Sequence, residues 1–223
     1  YDMDSRLRTL GLGAETTHEF LMQLEKEFSK MIDSVEKYGG FYIGRYETGN
    51  LNQDVAVVQK GNTNISNQTW YTMYNKCKTL SGENNNIETS MIWGNQFDRT
   101  LMWLIESGEK TKEEVISDST SWGNYYNATF TYINSSGSTA TKNQNSNTRI
   151  PTGSTEYTKA NNIYDLAGNV HDWTMEAYSS VSRVRRGGYY SNIGDSYPAS
   201  SRSGSGPASS SSYLGCRVSL YIK

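Results

Sequence analysis

The sequence predicts an α+β fold built from two to three helices, short strands and many long loops. Three observations carry that expectation. Apolar residues recur at three- and four-residue steps in three separate segments, each closed by glycine or a polar stop. Short runs rich in aromatic and β-branched residues fall between and after those segments, too brief for anything but short strands. Residues 109–160 are rich in Gly, Ser, Asn and Thr and show little periodicity, which suits surface loops around scattered strands. At 223 residues the chain suits one domain and is long enough to bury a core.

In chain order, residues 1–14 read as a loosely ordered lead-in, and 15–223 as a single domain. Thr16 and Glu19 form a capping box that opens the first helix. Its apolar stripe is Phe20/Leu21, Leu24, Phe28, Met31/Ile32 and Val35, and Gly39-Gly40 ends it. FYIGRYET (41–48) reads as an aromatic strand, and residues 49–66 as loop with a short strand over 55–58. A second helix is expected over 69–80, with Trp70, Met73, Cys77 and Leu80 on one stripe and Gly82 as its stop. A third is expected over 96–106, its face made by Phe97, Leu101, Leu104 and Ile105. Residues 126–133 suit a hairpin arm. NIYDLAGNVHDWT (162–174) leads through an Ala-Gly-Asn turn into an aromatic strand. Residues 183–190 and 216–222 close the series as further strands.

Composition narrows the function classes. The net charge is −2, with no basic patch that argues for nucleic acid and no cationic amphipathic stretch that argues for a membrane surface. Neither a bilayer-spanning apolar run nor a signal peptide is expected. Hydrophobic residues reach only 35%, but 17 tyrosines supply buried area with a polar tip, so the chain folds while staying polar. Cys77 and Cys216 suit either one disulfide or two buried thiols. On its helical stripe, Cys77 reads as a small core residue rather than a nucleophile. Sequons at Asn64, Asn67, Asn127 and Asn134 carry little weight in an Asn/Ser/Thr-rich chain.

NIYDLAGNVHDWT, then RVRRGGYY, then LGCRV resemble the signature of the formylglycine-generating-enzyme (sulfatase-modifying factor) family, and FYIGRYET resembles its opening strand. The resemblance spans residues 41–223, most densely after 160. It implies a C-type-lectin-like fold: irregular α+β, short twisted antiparallel sheets, long loops and termini that pair. It does not bring the family's chemistry. The two cysteines implied just after R-G-G, as copper-binding thiolates, align with Asn192 and Tyr197, and neither an amide nor a phenol replaces a soft thiolate ligand. His171 stands where the family has Trp and reads as a packed or surface side chain, since metal sites need several convergent ligands. The resemblance also implies calcium, for which Asn169 and Asp172 are the candidate ligands. No catalytic residue and no other cofactor is expected.

Residues 191–212 carry ten serines among 22 positions and read by composition as a linker. By position they lie between two strands of one domain. A second resemblance fits them: the variable proteins of diversity-generating retroelements, which carry rewritten residues on this scaffold between the R-G-G segment and the last strand. Such elements alter adenines, often in Asn codons, which never yields Lys, Glu, Gln, Trp or Met. Those five types are absent from residues 189–213 and present elsewhere in the chain. Tyr, Ser, Gly and Asn are also the residues of antibody-type binding surfaces.

The expected binding face, within a C-terminal region of about 184–223, is Tyr189, Tyr190, Asn192, Gly194, Asp195, Ser196, Tyr197, Ser201, Ser203, Gly204, Ser205, Ser210, Ser211, Ser212 and Tyr213. Arg202, Pro198 and Pro207 are expected to pin the backbone between them. The implied function is non-enzymatic binding of a macromolecular target, a protein or glycan on a cell surface. The implied setting is a phage tail or a bacterial surface. A structural or assembly domain is the alternative, followed by a family oxidase of altered chemistry.

Overall fold

A computed structural model describes residues 12–50 and 55–223. The lead-in expected over 1–14 lies mostly outside the described residues; Leu12 and Ala14 are buried against the core. Helix α1 (Thr17–Tyr38) begins on the expected capping box and ends at Gly39 in the left-handed region. Its buried face is rotated from the expected stripe: Phe20, Leu24, Glu27, Met31 and Ser34 are inside, while Leu21 and Phe28 are exposed. The reason is Glu27, whose carboxylate accepts from Tyr74 Oη at 2.7 Å and pairs with the Lys78 ammonium at 2.5 Å, so a charged residue turns inward with its partners.

Helix α2 (Trp70–Lys78) runs into a 3₁₀ turn, Thr79–Ser81, that Gly82 closes. Helix α3 (Gly94–Glu106) opens at Trp93, whose backbone N–H donates to Gln96 Oε1 at 3.0 Å. A fourth helix, α4 (Lys112–Ile116), goes beyond the two to three expected. It is short, but Thr111 and Glu114 cap it as Thr16 and Glu19 cap α1.

The strands are β1 (Tyr42–Ile43), β2 (Gly49–Asn50), β3 (Ala56–Val57), β4 (Ile87–Met91), β5 (Phe130–Ile133), β6 (Thr139–Lys142), β7 (Lys159–Ala160), β8 (Ile163–Tyr164), β9 (His171–Ser179), β10 (Ser182–Arg186), β11 (Arg202–Ser205), β12 (Leu214–Cys216) and β13 (Val218–Ile222). The aromatic strand expected over 41–48 keeps only β1, because the chain then turns inward to bury Glu47 and Thr48. The closing strand over 216–222 breaks at Arg217. Its first part, β12, pairs parallel with β9, and β13 crosses to β1 and β4 in another sheet. The early strand β1 and the late strand β13 are thus antiparallel neighbours. The main sheet runs β11-β10-β9-β12, and β5-β6, β7-β8 and β2-β3 form small hairpins.

Two apolar clusters back these sheets. One gathers Phe20, Trp70, Tyr74, Trp173 and Cys216; the other gathers Phe97, Trp122, Tyr125, Ile163 and Leu166. Cys77 and Cys216 are free thiols in the first, their Sγ atoms 3.6 Å apart. The Cys216 contact together with burial pushes the Cys77 thiol well up, which fits a core residue and not a nucleophile.

Candidate functional site

The frame of the site is an internal polar network. Glu47 is fully buried and accepts from Asn169 Nδ2 at 2.6 Å, from the backbone N–H of Val170 at 3.2 Å and from Asn64 Nδ2. Burial, with Asp165 and Asp172 nearby, raises the Glu47 carboxyl well above the usual range. Arg217, also fully buried, donates to Asp172 Oδ2 at 3.1 Å and to the carbonyls of Gly44 and Tyr164, each at 2.8 Å. These bonds lock the entry to β9 against the two segments expected to match family strands. Asn169 sits at φ 58° and Gly168 at φ 74°. A Cβ on Gly168 would lie 2.3 Å from the carbonyl oxygen of Asn124, so only glycine fits this turn.

The same network holds the two side chains that the family resemblance implies for calcium. Asn169 Oδ1 accepts from Asn124 Nδ2 at 2.9 Å and from the backbone N–H of Ile150 at 3.1 Å, while Asp172 faces the Arg217 guanidinium. Asp172 Oδ1 is buried without a hydrogen-bond partner, and two side chains supply fewer than the roughly six oxygens calcium takes. Among the described residues, no group of three or more His, Cys, Asp or Glu side chains is placed to hold a metal.

Beyond β10 the chain is ordered rather than linker-like. The Gly187 carbonyl accepts from Tyr125 Oη at 2.9 Å and from the Gly168 N–H at 2.7 Å. Gly188, at φ 72°, has no room for a Cβ beside the Tyr197 carbonyl, 2.8 Å away. The three pinning residues take defined partners. Arg202 pairs with Glu176, the Pro198 carbonyl accepts from Ser201 N–H at 2.8 Å, and the Pro207 carbonyl accepts from Trp70 N–H at 3.0 Å.

On this frame Tyr189, Tyr190 and Tyr213 converge. The Tyr189 and Tyr213 rings lie 4.7 Å apart, and Tyr190 meets Tyr189 edge-on at 5.4 Å. His171 lies beneath, 5.1 Å from Tyr189 and 6.3 Å from Tyr213. Burial, reinforced by the charge of Arg185, drives the His171 pKa down to about 3, so the ring is a neutral packed floor. Ser212 joins through Tyr190, Oη to Oγ 3.3 Å, and Ser203 accepts from Arg185 Nε at 3.1 Å. The Arg185 guanidinium lies 5.7 Å from the Tyr213 ring centroid.

The other expected face residues are placed more diversely. Asp195, Ser196 and Tyr197 are exposed on one turn, and Ser210 is exposed on the loop before β12. Ser201, Ser205 and Ser211 are half-buried, and the Ser211 carbonyl accepts from Asn67 and Leu214. Asn192 turns its side chain back, Oδ1 accepting from Tyr189 N–H at 3.1 Å. Gly204 lies against the Tyr178 ring. Gly194 departs from the expected surface role. It is buried, donates to Asn127 Oδ1 at 3.2 Å, accepts from Ser119 N–H at 3.1 Å and has Thr120 against it, so it anchors the turn. Sequence reasoning did not place Arg185 or Arg149 at this face. Arg149, from the polar span, donates to Ser66 Oγ at 2.7 Å and to the Ser212 carbonyl at 3.1 Å. Only the alternation of Arg183 and Arg185 against buried Val184 and Arg186 was a readable signal.

The comparisons with known proteins agree with this architecture. The family model described as "Sulfatase-modifying factor enzyme 1-like domain" matches residues 106–221. PvdO from Pseudomonas aeruginosa is similar in structure, with TM-score 0.51 and 15% identity over 81% of this chain and 80% of its own. CarF is similar with TM-score 0.50 and 14% identity, over 82% and 87% of the two chains. Variable protein 1 of Treponema denticola aligns with TM-score 0.45 and 18% identity, over 78% and 77%. No curated protein matches the chain. At these identities the likenesses to PvdO and CarF bear on fold alone: a C-type-lectin-like α+β unit.

Proposed function

The chain belongs to the sulfatase-modifying factor enzyme 1-like family, and from that premise we propose that it is a non-enzymatic binding protein whose C-terminal face recognises a macromolecular target. One observation carries the reading. The restricted-alphabet stretch 189–213 is ordered and brings Tyr189, Tyr190 and Tyr213 together with Ser203 and Ser212, framed by strands β10 and β12. Tyrosine offers rigid contact area with a polar tip, and serine adapts its hydrogen bonds. The positions where the family resemblance implies paired cysteines hold Asn192 and Tyr197, while both cysteines of the chain are buried elsewhere. The missing Lys, Glu, Gln, Trp and Met in 189–213 support rewriting of this face by a diversity-generating retroelement. A phage tail or bacterial surface is the setting such a target implies. No helix among the described residues is long and apolar enough to cross a membrane.

The test is a binding panel of bacterial and host surface proteins and glycans, probed with the wild type and with Y189A/Y190A/Y213A. The reading expects targets that bind the wild type and lose at least about tenfold affinity in the variant, since aromatic anchors of this kind dominate interfaces. Equal binding by both proteins contradicts it. Exposed Leu21 and Met22 on α1, each 53% exposed, favour a second reading, an assembly domain. In that case L21S/M22S abolishes self-association or partner assembly while the tyrosine variant assembles normally.

A further inference from the structure

We propose that the target meets this face through acidic side chains of a protein, held by Arg183 and Arg185. The inference rests on the binding function proposed above. Its starting point is a contrast among the arginines of the main sheet and its flanks. Arg186 pairs with Asp98, Arg202 with Glu176 and Arg217 with Asp172. Among the described residues, no carboxylate lies within ion-pair distance of Arg183 or Arg185, although both are half-buried.

Their placement follows from the strand. β10 pairs with β11 in unbroken register, Arg183 opposite Ser205 and Arg185 opposite Ser203. Val184 and Arg186 point into the core, so Arg183 and Arg185 share the other face, about 7 Å apart along the strand. Each guanidinium rests on an aromatic ring: Arg183 is 4.7 Å from the Trp70 ring centroid and Arg185 is 5.7 Å from that of Tyr213. Their polar contacts are thin. Among the described residues, Arg183 makes one bond of 3.4 Å to the Met175 carbonyl, and Arg185 one of 3.1 Å to Ser203. A guanidinium presents five N–H donors in a planar fork, so most of these donors are left for a partner. A partly desolvated cation without a counter-ion is costly, and a carboxylate from outside removes that cost with bidentate bonds.

Charge complementarity therefore selects an acidic partner. The spacing matches carboxylates two residues apart on an extended segment, which β11, at the edge of its sheet, lies beside. The tyrosine cluster next to Arg185 adds apolar contact, the anchor expected of a protein interface. An anionic glycan carries charge without that alternating spacing and is the rival that the test separates.

The probe is an octaglutamate peptide titrated into isotope-labelled protein, followed by the side-chain Nε–H signals of arginine. A heparin-derived hexasaccharide and an octaserine peptide run beside it. The expected result is a saturable shift of the Arg183 and Arg185 signals by octaglutamate, weakened by salt and reduced at least about tenfold in affinity in R183Q/R185Q. R99Q, which removes an arginine on α3 already paired with Glu106, should leave the affinity unchanged. If R183Q/R185Q does not fold, R185Q alone carries the test with the same expected direction. No shift at these two residues, a shift that survives R185Q, or a response to the hexasaccharide without one to octaglutamate overturns the inference. For any target found by the surface panel, loss in Y189A/Y190A/Y213A with retention in R183Q/R185Q overturns this inference alone. Retention in the tyrosine variant overturns the binding function itself.

Discussion

Replacing His171 with Phe should make the protein more resistant to acid. His171 is 2% exposed, between Tyr189, Tyr213 and the backbone of Arg186, and its pKa falls to about 3 because burial and Arg185 disfavour the imidazolium. In the unfolded chain the group titrates at about 6.5. A histidine with a depressed folded pKa contributes stability that is fully present above the unfolded value and is lost as pH falls toward the folded one. At about pH 5 the loss from this residue is about 2 kcal/mol, and at about pH 4 it exceeds about 3 kcal/mol. For a chain of this length, about 2 kcal/mol corresponds to roughly 4–8 °C in Tm. Phenylalanine keeps the ring under Tyr189 and removes the titration. The assay is urea unfolding of wild type and H171F across about pH 7.5 to 4, taking the difference in unfolding free energy so that all other titrations cancel. The difference should be flat above about pH 7 and shift steadily in favour of H171F below about pH 6. A difference that stays constant to about pH 4 would refute the claim that His171 is a neutral, sealed floor of the tyrosine cluster.

Arg217→Met should destabilise the protein by about 3–5 kcal/mol, because it strands the Asp172 carboxylate in the core and strips the Gly44 and Tyr164 carbonyls of their donor. Urea unfolding reads this, and a loss under about 1 kcal/mol contradicts the network's role. The buried Cys77 and Cys216 thiols should react with a disulfide reagent no faster than the chain opens; rapid labelling of the native protein contradicts their burial. Gly168→Ala should cost at least about 1–3 kcal/mol, from a positive φ and a Cβ driven into the Asn124 backbone, and a neutral melting temperature would count against that turn geometry.

The parts of the fold legible in the sequence are those fixed by local chemistry. The capping box of α1, the glycine stop after α2 and the helical face of Phe97, Leu101 and Leu104 depend on neighbours three or four residues away. The inward turn of Glu27 was not legible, because Tyr74 and Lys78 are 47 and 51 residues distant. The break at Arg217 was hidden in the same way: a charged residue in an alternating strand reads as solvent-facing until Asp172 and two carbonyls surround it. At the candidate site, the restricted alphabet of 189–213 marked the segment but not its geometry. Gly194 shares that alphabet yet is buried against Thr120, while Arg185 reaches Tyr213 and Arg149 reaches the Ser212 carbonyl from segments that composition does not single out.

A C-terminal face rewritten to recognise targets, as proposed above, leaves its record in DNA. Sequencing the gene and its flanking DNA in sibling isolates tests it most directly. The expected result is a reverse transcriptase nearby, a near-copy of the 3′ end, and differences between copies confined to adenines within the codons for residues 189–213. The differences should concentrate at exposed or half-exposed positions such as Tyr189, Tyr190, Tyr197 and Tyr213 and spare buried Gly188 and Gly194. Isolates that lack both elements, with differences scattered evenly along the chain, would contradict it.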